Sequence, residues 1–121
     1  MKRETALALA WAALVLAGSF LLYWITAARS PGWVDATLIL NSVRRAEIGV
    51  WANTHSLFNL LGHAWLGLFP RGDPHFVLTM LCALLGSLTV LFMYLAGVEA
   101  TGNRSAAALA AAALTVSLSL W

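Results

Sequence analysis

The sequence predicts an all-α membrane protein with three transmembrane helices and two interfacial amphipathic helices in the first extracytoplasmic loop. Three observations carry that prediction. Of 121 residues, 61% are hydrophobic and 10% charged, against roughly one quarter charged in soluble domains. Three runs without a charge, Thr5 to Ala28, Phe76 to Val98 and Ser105 to Trp121, have helix length. Between the first two lies residues 29–74, amphipathic but without an apolar stretch long enough to span.

The first run would rise roughly 36 Å as a helix, enough to cross a hydrocarbon core of about 30 Å with some tilt. It follows Lys2 and Arg3, a positive start that a secretory signal also has. Its apolar length exceeds the roughly 7 to 15 residues of a signal core, and no small-x-small cleavage site follows, so an uncleaved anchor is expected. Ala6, Ala10, Ala13 and Ala17 recur at helical spacing, a pattern that lets another helix pack closely. The early charges favour a cytoplasmic amino terminus, with Arg104 on the same side and Arg29, Arg44, Arg45 and Arg71 outside.

Two short helices are expected in the loop. The first covers 35–49: Asp35 can cap it, Arg44 and Glu47 can pair at three-residue spacing, and Gly49 is a stop. The second covers 54–69. Leu57, Leu60, Leu61, Ala64, Trp65, Leu68 and Phe69 form a broad apolar face, and His55, Asn59, Gly62 and His63 form a narrower polar stripe expected to be solvated. Both helices are expected at the interface, with Trp33, Trp51 and Trp65 near headgroup level.

Pro70-Arg71-Gly72-Asp73-Pro74 reads as a turn launching the second span, at 76–98. Thr101-Gly102-Asn103 reads as a tight reversal into a third helix, 105–121, capped by Ser105 and rich in alanine, suited to burial among neighbouring helices. That run is still apolar at Trp121. The expectation is a single membrane domain over 1–121 forming the amino-terminal part of a larger multi-pass protein, with the remaining transmembrane helices as partners.

Composition also removes classes of function. A net charge of +2 is too small for a nucleic-acid partner held by phosphate neutralisation. Cys82 is the single cysteine, which excludes an intrachain disulfide and a cysteine-rich metal site. With no charge inside the apolar runs, a transporter's substrate or proton path is not indicated. His55 and His63 are two turns apart without a third ligand at metal spacing, so no metal site is predicted. No cofactor is required by these residues, and a divalent metal ion is the one left open.

Asp35, just past the first span, is either a helix cap or a catalytic base held at the membrane edge. Arg44, Arg45 and Arg71 can bind the phosphate of a lipid-linked donor, since guanidinium matches phosphate geometry. Equally, they can contact the headgroups of ordinary membrane lipid.

The chain resembles the start of the GT-C glycosyltransferases, and among them the protein O-mannosyltransferase-like bacterial members. The likeness lies in one span, an acidic residue just outside, two interfacial helices and a closely coupled helix pair. His55-Ser56-Leu57-Phe58-Asn59-Leu60-Leu61-Gly62-His63, followed by Leu68-Phe69-Pro70-Arg71-Gly72-Asp73, is similar to that family's second interfacial helix and its turn. Leu84-Leu85-Gly86-Ser87-Leu88-Thr89-Val90 is similar to its next membrane helix. The resemblance implies transfer of a sugar from a polyprenyl-phosphate donor to an acceptor at the outer face, in the bacterial inner membrane. It places the acid of the first loop, here Asp35, as base or orienter of the acceptor hydroxyl. Leu38 stands where relatives often carry a second acid, and Asn53-Thr54-His55 where they carry Pro-Pro-Gly. A carboxylate pair is therefore not implied. The alternative is a small non-enzymatic three-helix protein that binds a partner through its alanine faces.

Overall fold

In a computed structural model of the chain, the described residues are 2–27, 34–49 and 55–119, with side chains described for 4–27, 37–49 and 55–117. The fold is all-helical among them. Five helices follow in order: α1 Lys2–Thr26, α2 Val34–Arg44, α3 Ser56–Leu68, α4 Pro74–Thr101 and α5 Arg104–Ser119. Arg29, Trp33, Trp51 and Thr54 lie outside the described residues, as does the side chain of Asp35.

Two helices are long and apolar enough to cross a membrane: Glu4–Thr26, of mean hydropathy 2.1, and Pro74–Thr101, of mean hydropathy 2.3. α5 has 16 residues and rises about 24 Å, less than a bilayer core of about 30 Å. Large apolar side chains stand bare along α1, among them Leu9, Leu14, Leu21 and Ile25, and along α4, among them Phe92 and Met93. Apolar surface of that extent requires lipid or another protein to cover it.

The chain divides into two compact units, with the division inside α4 between Cys82 and Ala83. In the first, comprising α1, most of α4 and α5, Val90, Tyr94, Ala107 and Ala111 form the core, with Trp11, Ala12 and Val15 of α1 against it. Close approach depends on small residues. A Cβ on Gly97 would stand 3.1 Å from that of Ala107, and one on Gly86 would stand 3.1 Å from the Tyr23 ring. The stripe Ala6, Ala10, Ala13 and Ala17 is exposed and lies off the core of this unit. Trp11 and Tyr23 add far more contact area, and the core gathers on their side of the helix.

The buried hydroxyls of Ser19, Ser87 and Thr115 satisfy themselves within their own helices. Ser19 donates to the Val15 carbonyl at 2.8 Å, Ser87 to Ala83 at 2.7 Å and Thr115 to Ala111 at 2.8 Å. Such back-bonding lets a hydroxyl sit in an apolar interior without an exposed donor.

Two helix ends are closed by other residues than expected. Asn103, rather than Ser105, caps α5: its Oδ1 accepts the backbone N–H groups of Ser105 and Ala106, each at 3.1 Å. Asn ranks with Ser as a cap, and Gly102 at φ +64° turns the chain so that Asn103 arrives first. α2 stops at Arg44, five residues before Gly49. The Glu47 N–H returns to the Ser42 carbonyl and the Ala46 N–H to Val43, each at 3.0 Å, which is the paired closure of a Schellman motif. Its left-handed position is filled by Ala46, at φ +48°.

The second unit is α2, α3 and the first turns of α4. Its core is Val43, Leu78 and Leu81, joined by Leu40, Phe58, Trp65 and Leu66. The expected turn before α4 is present. Asp73 closes it, its Oδ1 accepting the Phe76 N–H at 2.8 Å with Pro74 as the first helical residue.

Candidate functional site

The middle of the polar stripe of α3 is packed inward, contrary to expectation. Its polar stripe was expected in water, yet Asn59 is 3% exposed and Gly62 is buried. The apolar face is bare: Leu57 is 72% exposed, Leu68 is 69%, and Leu60, Leu61 and Phe69 are exposed as well. Asn59 and Gly62 face inward while His55 and His63 stay exposed, and the end of α2 offers carbonyls to this side of α3. Asn59 Nδ2 donates to the Glu47 carbonyl at 3.0 Å, and one turn on, His63 Nδ1 meets the Val43 carbonyl at 3.2 Å. Gly62, between them, lets the helices close, since a Cβ there would stand 2.8 Å from Val43 Cγ1 and 3.0 Å from Leu78 Cδ2.

Trp65 is a tie as well. Its Nε1 donates to the Val77 carbonyl at 2.9 Å, joining α3 to α4, and its ring leans on Phe69 with centroids 5.2 Å apart. That bond gives the indole N–H a partner within the protein.

Around the carboxyl ends of α2 and α3 lies a cavity of about 290 Å³. Arg44 and His63 are its polar wall, and Leu66, Phe69, Pro70 and Pro74 its apolar one. Because a carbonyl only accepts, the proton of neutral His63 sits on Nδ1, and Nε2 keeps a lone pair. A second cavity of about 210 Å³ lies between Ile39 and Leu40 of α2, Phe58 of α3, and His75, Thr79 and Cys82 of α4. The His75 Nε2 atom is buried without a hydrogen-bond partner.

The residues expected to carry function are thereby distributed. Arg44 reaches the first cavity. Arg45, not Arg44, pairs with Glu47, at 3.5 Å on an exposed surface, because α2 ends before the pairing of Arg44 with Glu47 can form along a helix. Such a pair contributes little to stability. Arg71 is exposed in the turn after α3 and is not among the residues lining that cavity. Asp35 belongs to the first turn of α2, which begins one residue earlier, at Val34. It is nine positions from Arg44, about 13 Å along the axis.

Among the described residues no group of three or more His, Cys, Asp and Glu side chains could hold a metal ion. His63, expected in a solvated stripe and too isolated to count as a metal ligand, stays exposed and lines the same cavity as Arg44. Neither a protein-family model nor a curated protein nor a solved structure matches the chain.

Proposed function

We propose that the chain is the amino-terminal part of a multi-pass glycosyltransferase of GT-C type. In this reading it moves a sugar from a polyprenyl-phosphate donor to an acceptor at the outer face of the membrane. The observation that supports it best is the outward apolar face of α3, held by inward hydrogen bonds from Asn59 and His63. A helix so arranged lies along a bilayer surface with its leucines in the acyl region, where a long-chain lipid donor also resides. The likeness of residues 55–63 and 68–73 to the family's interfacial helix and turn supports the same reading. α1 and α4 serve as crossings, α5 as a third, and the amino terminus lies in the cytoplasm of a bacterial inner membrane.

In the proposed step the Asp35 carboxylate takes the proton of the acceptor hydroxyl. The hydroxyl oxygen forms the new bond to the anomeric carbon, and the bond from that carbon to the phosphate oxygen breaks, the phosphate leaving with the electron pair. Removal of the proton at the moment of attack is worth roughly 10²–10⁴-fold. Arg44 and Arg45 are a helix length from Asp35, so their proposed contact is with the lipid phosphate as the donor enters the interface. Arg71 adds positive charge in the turn beyond α3.

The test uses the complete reading frame in proteoliposomes with a radiolabelled polyprenyl-phosphate sugar. Transfer to an acceptor supports the proposal. Absence of both transfer and donor binding supports the alternative, a non-enzymatic helix-packing subunit, which the exposed Ala6, Ala10, Ala13 and Ala17 stripe favours.

A further inference from the structure

We infer that Arg44 and His63 form a phosphoryl-binding pocket at the membrane interface, separate from the Asp35 end of α2. The two side chains line the same cavity of about 290 Å³, and no carboxylate among the described residues lines it. Arg44 brings a permanent charge whose planar fork matches phosphate oxygens. His63 is held by its own hydrogen bond: Nδ1 is committed to the Val43 carbonyl, which fixes the ring and leaves Nε2 as its free nitrogen. When protonated, that nitrogen donates its Nε2–H to a second phosphate oxygen.

The rest of the wall fits a phosphate attached to something apolar. Leu66, Phe69 and Pro70 are hydrocarbon, and Phe69 and Leu68 continue into the exposed apolar face of α3. A phosphoryl group in the pocket can therefore carry a lipid chain that follows α3 into the acyl region. Both a prenyl phosphate and a phospholipid headgroup have this chemistry. The inference rests on the lipid-donor reading only for which of them is the natural occupant.

The pocket differs from a diffuse basic patch in needing these two residues. Arg45 is engaged with Glu47 and Arg71 is absent from the wall.

The experiment is a titration of the full chain, ¹⁵N-labelled at histidine, in phosphatidylcholine nanodiscs, with farnesyl phosphate as probe. The His63 Nε2 resonance is expected to shift on saturation. Affinity should fall about tenfold or more in Arg44→Ala and in His63→Asn, the loss of one charge-assisted hydrogen bond. His63→Asn is chosen because its amide Nδ2 can still donate to the Val43 carbonyl, so helicity by circular dichroism should be unchanged. His63→Gln, which keeps a distal donor, should bind within about threefold of wild type. Arg104→Ala, at the start of α5, controls for net charge.

Competition by phosphatidylglycerol in the disc would identify a headgroup site, and competition by inorganic phosphate alone a free-phosphate site. Either result, lost in Arg44→Ala and His63→Asn, supports the pocket. Failure of all three probes to bind, or binding that ignores both substitutions, overturns it. If the complete protein transfers no sugar while the pocket binds, only the glycosyltransferase reading fails. If transfer occurs and both variants bind normally, only the pocket fails.

Discussion

The side-chain amide of Asn59 donates to the backbone carbonyl of Glu47 at 3.0 Å while the leucines of the same helix stay bare. This bond, with those of His63 and Trp65, sets which way α3 faces. Asn59→Leu removes the donor and leaves the Glu47 carbonyl without that partner. We expect a loss of about 1–3 kcal/mol, measured by denaturant unfolding in detergent. An unchanged midpoint would mean that α3 is oriented by its apolar face alone.

Gly62 and Gly67 lie on the same helix in opposite surroundings. Gly67 has nothing within 4 Å of a built Cβ, whereas Gly62 meets Val43, which is fully buried, at 2.8 Å. Gly67→Ala should stabilise by up to about 1 kcal/mol through helix propensity. Gly62→Ala should destabilise by about 1–2 kcal/mol, overpacking outweighing that same gain. Thermal melts of the two variants side by side test the contrast.

At the ends of α2 and α5 the caps give opposite signs. Ala46→Gly relieves an L-residue at φ +48° and should stabilise by up to about 1 kcal/mol, the relief being offset in part by a freer unfolded chain. Asn103→Ala removes the acceptor of two N–H groups and should cost about 0.5–2 kcal/mol. Ser105→Ala should have a smaller effect. Unfolding midpoints of all three decide the assignment of the caps.

How far the sequence led is clear from these positions. Runs without charge located α1, α4 and α5, and caps and periodicity located α2 and α3, since apolar length and turn chemistry are local properties. Pro70 to Asp73 marked its turn for the same reason. The facing of α3 was not legible: periodicity separates Asn59 and His63 from the leucines but does not say which side meets protein when lipid is an alternative to water. The end of α2 was hidden because Ala46 carries no signature of a left-handed residue, so Gly49 was the natural stop. The Arg44 and His63 cavity depended on both of those features, which explains why neither the pairing of Arg45 with Glu47 nor the role of His63 could be read in advance.

Depth in the bilayer follows from the same orientation. Nitroxides placed at Leu57, Leu61 and Leu68, with Cys82→Ser to remove the native thiol, should collide more with oxygen than with a water-soluble nickel chelate. A label at Arg45 should show the reverse order. Equal accessibility at all four positions would contradict an interfacial α3.

The central claim is tested most directly by the rate of sugar transfer from a polyprenyl-phosphate donor in the complete protein, wild type against Asp35→Asn. With Asp35 as the base, the variant should lose roughly 10²–10⁴-fold in kcat while retaining its helicity and its binding of prenyl phosphate. Transfer by Asp35→Asn at the wild-type rate would contradict the account.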